Sequence, residues 1–199
     1  MTVGAGMLSA RASFSLRRGT NPAGAQERVF RSLMPKLAGT SVWGDAGAEK
    51  GMSYEDFQAK LPLVTHEDIA PAINRMIAGE ADVLWPGRCQ IYCSTSGAST
   101  GQPRMVPVTE PMLRHFKQCS LNSVLWHSAR VRHGRVFRGR HLSLTGSTAM
   151  EPLGAGGFEA YAGRLAGIAA LNLPKWVEQH FYEPGTEIAQ TPDWQAKIA

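Results

Sequence analysis

Several things are scarce in this sequence, and each scarcity excludes something. No uninterrupted apolar run approaches the ~18 residues needed to cross a bilayer as a helix, so no membrane span is expected. Cysteine occurs three times, at Cys89, Cys93 and Cys119. So low and odd a count reads as free thiols in a reducing, cytoplasmic setting rather than a disulfide scaffold. Their spacing with His115 matches no standard zinc site, so no metal centre is expected. There is no internal repeat and no secretory signal. His127, His133 and His141 have no carboxylate near them in sequence. Ser147 sits in Thr-Gly-Ser rather than a Gly-x-Ser-x-Gly elbow, so no hydrolytic triad is supported.

Acid is missing from two stretches. The first 26 residues contain none, although they hold Arg11, Arg17 and Arg18. With a poor amphipathic pattern, residues 1–25 read as a disordered extension or a misplaced start site more readily than as a transit peptide, and they precede a domain that runs over 26–199. The second stretch lies between Glu110 and Glu151 and carries Arg114, Lys117, Arg130, Arg132, Arg135, Arg138 and Arg140. With a net charge of +5 overall, it reads either as a solvated basic face or as a surface for an anionic partner such as a nucleotide, a carboxylate or a nucleic acid.

What is present describes a globular chain of 199 residues, 43% hydrophobic and 19% charged, enough for one domain with a core. Asn21-Pro22 opens a helix with Val29, Phe30, Leu33, Met34 and Leu37 on one stripe, stopped at Gly39. Ser53 to Asp56 and Thr65 to Asp68 are capping-box patterns. Pro71 is expected to start a separate helix carrying Ile73 and Met76 and closed by Gly79. Leu84 to Gly87 reads as a turn, and Cys89 to Ser94 as a short buried strand.

The longest helix is predicted from Glu110 to Arg132, with Leu113, Phe116, Leu121, Val124 and Leu125 on its apolar side. Phe116, Trp126, Trp176 and Phe181 are read as packing aromatics. A strand over 141–145 and a glycine-rich loop over 146–157 follow. Helices are then expected over 158–171 and 174–176, with a fresh start at Thr191-Pro192-Asp193. So few and scattered strands do not make a broad sheet, which reads as part of a larger α/β fold.

The chemistry is concentrated in Ser94-Thr95-Ser96-Gly97-Ala98-Ser99-Thr100-Gly101-Gln102-Pro103-Arg104, directly after the predicted strand. Glycines let a backbone approach a polyphosphate and present N–H donors. Hydroxyls add further donors, and Arg104 adds a charged fork. The spacing is neither a Walker A loop nor a dinucleotide fingerprint. By composition alone such a stretch is more often a flexible loop.

The run from Thr95 to Pro107 resembles the first signature of the GH3 acyl-acid amido synthetases, Ser-Ser-Gly-Thr-Ser/Thr-x-Gly-x-x-Lys followed by an apolar pair and proline. Two residues depart from it: Ala98 replaces the usual threonine and Arg104 the usual lysine. Segments 53–57, 62–69 and 79–87, then Thr145-Gly146-Ser147 and 163–176, are similar to other stretches of the family in the same order. The resemblance implies an α/β chain that is an incomplete N-terminal domain of an adenylate-forming, acyl-CoA synthetase-like fold, helix-rich with few strands.

It implies a ligase using ATP and Mg²⁺ to adenylate a carboxylic acid and join it to an amino acid. Ser94, Thr95, Ser96, Gly97, Ala98, Ser99, Thr100, Gly101 and Arg104 would bind the phosphates. Leu113, Arg114, Phe116 and Lys117 would face the acyl substrate. No catalytic residue is assigned. The later signatures of the family are not in these residues, so the chain alone is expected to be inactive. The competing expectations are a nucleic-acid-binding module using residues 114–141 and a non-catalytic remnant.

Overall fold

A computed structural model describes residues 21–95, 101, 103–142, 147–154, 157–183, 185–191, 193 and 195–196, apart from the side chains of Trp176, Thr186 and Glu187. It divides into two compact units. One comprises Pro22–Thr109 and Met150–Gly163; the other comprises Glu110–Ala149 and Arg164–Ala199, with Met1–Asn21.

The first unit opens with α1 (Pro22–Leu37) and α2 (Ser41–Asp45). Proline at the first helical position sacrifices only an N–H that lacks a helical partner anyway. Met34 is buried with Ala48 and Met52, and Phe30, Leu37, Trp43, Phe57 and Leu61 pack around them. Val29, expected on the apolar stripe, is 52% exposed. Helix α3 (Tyr54–Lys60) runs three residues beyond the expected end at Phe57, and the Ser53 hydroxyl accepts from the Asp56 amide as its cap.

Helix α4 (His66–Ile77) corrects the reading of Pro71, which lies inside one continuous helix rather than starting a second. An interior proline costs about 3 kcal/mol. Two features of α4 oppose that cost. Thr65 and Asp68 form a complete capping box at its start, and Ala72, Ile73 and Met76 are buried along one face.

That face packs on a four-stranded sheet ordered β2-β1-β5-β4, built from β1 (Ile91–Ser94), β2 (Met105–Pro107), β4 (Glu151–Pro152) and β5 (Tyr161–Gly163). Strand β1 pairs antiparallel with β2 and parallel with β5, placing Tyr92 beside Pro107 and Ala162. Tyr92, Met76 and Val83 are the most enclosed members of this core, with Ile73, Cys89 and Ala160. The helix expected over 158–171 therefore begins only at Leu165, because Tyr161–Gly163 is committed to the sheet. Strand β4 lies within the expected glycine-rich loop.

The second unit holds α5 (Glu110–Val131), a 3₁₀ turn (Arg135–Phe137), a parallel pair of β3 (His141–Leu142) and β6 (Tyr182–Glu183), α6 (Leu165–Leu171), α7 (Lys175–Phe181) and α8 (Thr186–Gln190). Strand β3 covers the first two residues of the strand expected over 141–145; residues 143–146 lie outside the described ones. Helix α7 is longer than expected, and α8 has no counterpart in the sequence reading. At the last start signal the Asp193 carboxylate accepts from the Gln195 and Ala196 amides at 2.6 and 3.1 Å, a capping arrangement. No described helix is long and apolar enough to cross a membrane.

Candidate phosphate-binding site

The Ser/Gly-rich segment is the connection of a β-hairpin. Ser94 ends β1 and is paired with Met105 at the start of β2. Just beyond that pair, the Thr95 amide donates to the Arg104 carbonyl at 3.0 Å. The Arg104 amide in turn donates to Thr95 Oγ1 at 3.1 Å. The two ends of the loop are thus tied by backbone pairing and by a hydroxyl. Gly101 has φ +74, a conformation that side chains with a Cβ disfavour. Ser96, Gly97, Ala98, Ser99 and Thr100 lie outside the described residues, as does Gln102.

The first turn of α4 braces the hairpin. His66 Nε2 donates to the Met105 carbonyl at 3.1 Å. Next to it, Glu67 Oε1 accepts from Arg104 Nη2 at 2.6 Å. The Glu67 carboxyl sits below the ordinary carboxylate value, first because of its own backbone N–H and then because of the Arg104 guanidinium. A helix N-terminus favours negative charge for the same reason. Glu67 is therefore ionised through the neutral range and holds Arg104 as a charged pair.

Beneath the hairpin, the Tyr92 hydroxyl donates to the Cys89 carbonyl at 3.0 Å. Burial pushes both the Tyr92 phenol and the Cys89 thiol up, so both stay neutral. The core under β1 is thus uncharged there, and the described charges beside the hairpin are Arg104 and Glu67. The Arg104 guanidinium has N–H donors beyond the one bonded to Glu67, and such a group suits an anion.

The residues expected to face an acyl substrate lie on α5 in the other unit. Leu113 is half-buried, whereas Arg114, Phe116 and Lys117 are exposed. Arg114 pairs with Glu110 one turn away at 2.7 Å. Phe116 and Trp126 are 43% and 50% exposed, so neither packs as expected, and Leu121 is exposed as well. The basic stretch is also less uniform than its sequence. Arg140 pairs with Glu183 at 2.9 Å and donates to the Gln179 and Tyr182 carbonyls at the end of α7. Cys119 Sγ lies 3.5 Å from His115 Nε2 on exposed α5. No group of three or more metal-ligating side chains occurs among the described residues.

Glu67 was not recognisable as a site residue in the sequence. It lies 37 residues before Arg104, and its one local signal is an acid in a capped first turn, which helix energetics alone explain.

The architecture matches solved amide-forming enzymes. The GH3.15 acyl acid amido synthetase superposes with a TM-score of 0.75 over 96% of this chain and 32% of its own, at 18% identity. The Arabidopsis synthetase of the same name in complex with 2,4-DB gives 0.70 over 89% of this chain and 30% of its own. The chain thus carries the N-terminal part of an adenylate-forming α/β fold, helix-rich with few strands. Residues 16–198 match the GH3 family N-terminal domain, and the chain belongs to the GH3 family.

Among curated relatives, a jasmonoyl–L-amino acid synthetase of Nicotiana attenuata is 27% identical over 74% of this chain and 24% of its own length. An indole-3-acetic acid-amido synthetase of Arabidopsis thaliana is 32% identical over 47% of this chain and 16% of its own. The chain therefore spans about a quarter or less of the length of these relatives.

Proposed function

We propose that this chain supplies the ATP-phosphate-binding part of an acyl-acid amido synthetase, which adenylates a carboxylic acid and conjugates it to an amino acid. The observation that carries the reading is the hairpin tied at Thr95 and Arg104, with the guanidinium held by Glu67 at the start of α4. In this reading the hydroxyls of Ser94 and Thr95, with the amides and hydroxyls from Ser96 to Gly101, receive the β- and γ-phosphates. Arg104 offsets the charge that develops as pyrophosphate leaves.

The donor set of the loop matches phosphate oxygens and not a cation, so Mg²⁺ would be held chiefly by the phosphates themselves. When bound, it would neutralise phosphate charge. Leu113, Arg114, Phe116 and Lys117 are proposed as contributors to the acyl-acid site. The jasmonoyl and indole-3-acetic acid names of the relatives support an organic carboxylate as the substrate class. Residues 26–199 are assigned to the synthetase domain and 1–25 to an extension; helix α1 begins slightly earlier, at Pro22. Because the chain spans about a quarter or less of its curated relatives, turnover is expected to need more of the family's length than these residues supply.

Calorimetric titration with Mg·ATP tests the reading. The chain is expected to bind, and Arg104→Ala to weaken binding about tenfold, the loss of a partly exposed charge-assisted hydrogen bond. Pyrophosphate release by the chain alone is expected to be undetectable. No affinity for Mg·ATP, or turnover by the isolated chain, would contradict it. The pairing of Arg114 with Glu110 and of Arg140 with Glu183 weakens the nucleic-acid alternative, which requires an unpaired basic face.

A further inference from the structure

We infer that Glu67 is a positioning residue: its carboxylate fixes the Arg104 guanidinium at the mouth of the hairpin so that the rest of the fork can receive a phosphoryl oxygen. The inference rests on the phosphate reading of the loop and extends it to a residue on another element. Three observations carry it.

The Arg104 backbone is fixed first. Its amide and carbonyl are both bonded to Thr95, at 3.1 and 3.0 Å, so the origin of the side chain cannot drift. Its guanidinium is fixed next, by Nη2 donating to Glu67 Oε1 at 2.6 Å. The carboxylate is anchored in turn. Glu67 lies in the first turn of a helix whose start is set by the Thr65–Asp68 capping box and whose preceding contact to β2 is the His66 bond to the Met105 carbonyl. Helix, strand and loop base thus hold the cation from both ends.

The residue type matters. A guanidinium carries five N–H donors in a rigid plane, whereas an ammonium is a point charge on a flexible stem. The pair with Glu67 takes one nitrogen. An arginine can therefore satisfy the carboxylate and offer Nε or its other terminal nitrogen to an anion in a defined direction. A lysine at this position would have to divide one ammonium between the two. Arg104 and Glu67, 2.6 Å apart, make one arrangement.

The opposing effect is charge. A carboxylate beside the site repels an anion, so Glu67 could act as a competitor that the ligand displaces. The two roles predict opposite signs. Glu67→Ala removes both the hold and the negative charge; Glu67→Gln removes the charge but keeps an amide oxygen able to accept from Arg104.

The test uses the whole chain and inorganic tripolyphosphate, titrated calorimetrically into wild type, Glu67→Ala, Glu67→Gln, Arg104→Ala and the double variant Glu67→Ala/Arg104→Ala. Circular dichroism confirms that each is folded. Positioning predicts that Glu67→Ala weakens binding about threefold and Arg104→Ala about tenfold. It also predicts that the double variant is no weaker than Arg104→Ala and that Glu67→Gln restores binding to at least the wild-type level. Non-additivity and rescue are readouts that a merely structural role for Glu67 would not produce. Unchanged or tighter binding by Glu67→Ala, with Arg104→Ala still weakened, overturns the positioning role and leaves the phosphate reading standing. No tripolyphosphate binding by wild type, or no loss in Arg104→Ala, overturns the phosphate reading and the inference with it.

Discussion

Replacing Tyr92 with alanine is expected to lower the unfolding free energy of the first unit by about 3–5 kcal/mol, the range for deleting a buried aromatic. Tyr92 is 0% exposed and is the largest fully enclosed side chain among the described residues. It stands at the centre of β1, beside Pro107 of β2 on one side and Ala162 of β5 on the other. Losing the ring opens a cavity among Ile73, Met76, Val83 and Ala160 and strips the Cys89 carbonyl of its hydroxyl donor. Tyr92→Phe separates the two contributions. It keeps the packing, removes the hydrogen bond, and is expected to cost about 1 kcal/mol. Urea unfolding followed by circular dichroism measures both. An alanine variant within 1 kcal/mol of wild type, as a rough threshold, would mean that the sheet does not close around this ring.

Gly79→Ala is expected to cost about 2–4 kcal/mol, from two independent causes. The glycine has φ +94, a conformation disfavoured by roughly 1–2 kcal/mol once a Cβ is present. An added Cβ would also lie 2.6 Å from Cγ and 2.7 Å from Cβ of Phe158, and forcing volume into a packed site typically adds about 1–3 kcal/mol. Phe158 packs against the core cluster under the sheet, so its displacement would spread to β5. Gly87→Ala serves as the control. Its φ is +82, but nothing lies within 4 Å of the added methyl, so only the backbone cost should remain. Equal losses at the two positions in thermal unfolding would rule out the steric part of the account.

The sequence disclosed those parts of the fold that rest on neighbours in the chain. The caps at Ser53 and Thr65 are four-residue patterns, and both open helices as expected. The stripe from Phe30 to Leu37 and the strand around Tyr92 were legible for the same reason. Pro71 misled because its local preference is real and is overridden by a capped helix with a buried face. Strands β4 and β5 were missed because two- and three-residue strands have no period to detect. Tyr161–Gly163 is extended because β1 lies beside it, 70 residues earlier in register. The exposed Phe116 and Trp126 mark the limit of reading burial from helical spacing.

The candidate site divides along the same line. Its loop was legible because glycines and hydroxyls are clustered in one run, and its closure at Thr95 and Arg104 follows from the hairpin. Glu67 was not, since its meeting with Arg104 depends on α4 docking against β2. Five of the nine residues expected to bind phosphate, Ser96 to Thr100, lie outside the described residues. Their role rests on the family signature and on the described frame around them.

Amide NMR of the isotopically labelled chain, titrated with Mg·ATP, is the most direct measurement of the central claim. The expected result is a set of saturable shifts at Ser94, Thr95, Gly101 and Arg104, with a smaller response at Glu67. An absence of shifts there, or a response confined to the arginines between Arg130 and Arg140, would contradict the claim that this hairpin receives a triphosphate.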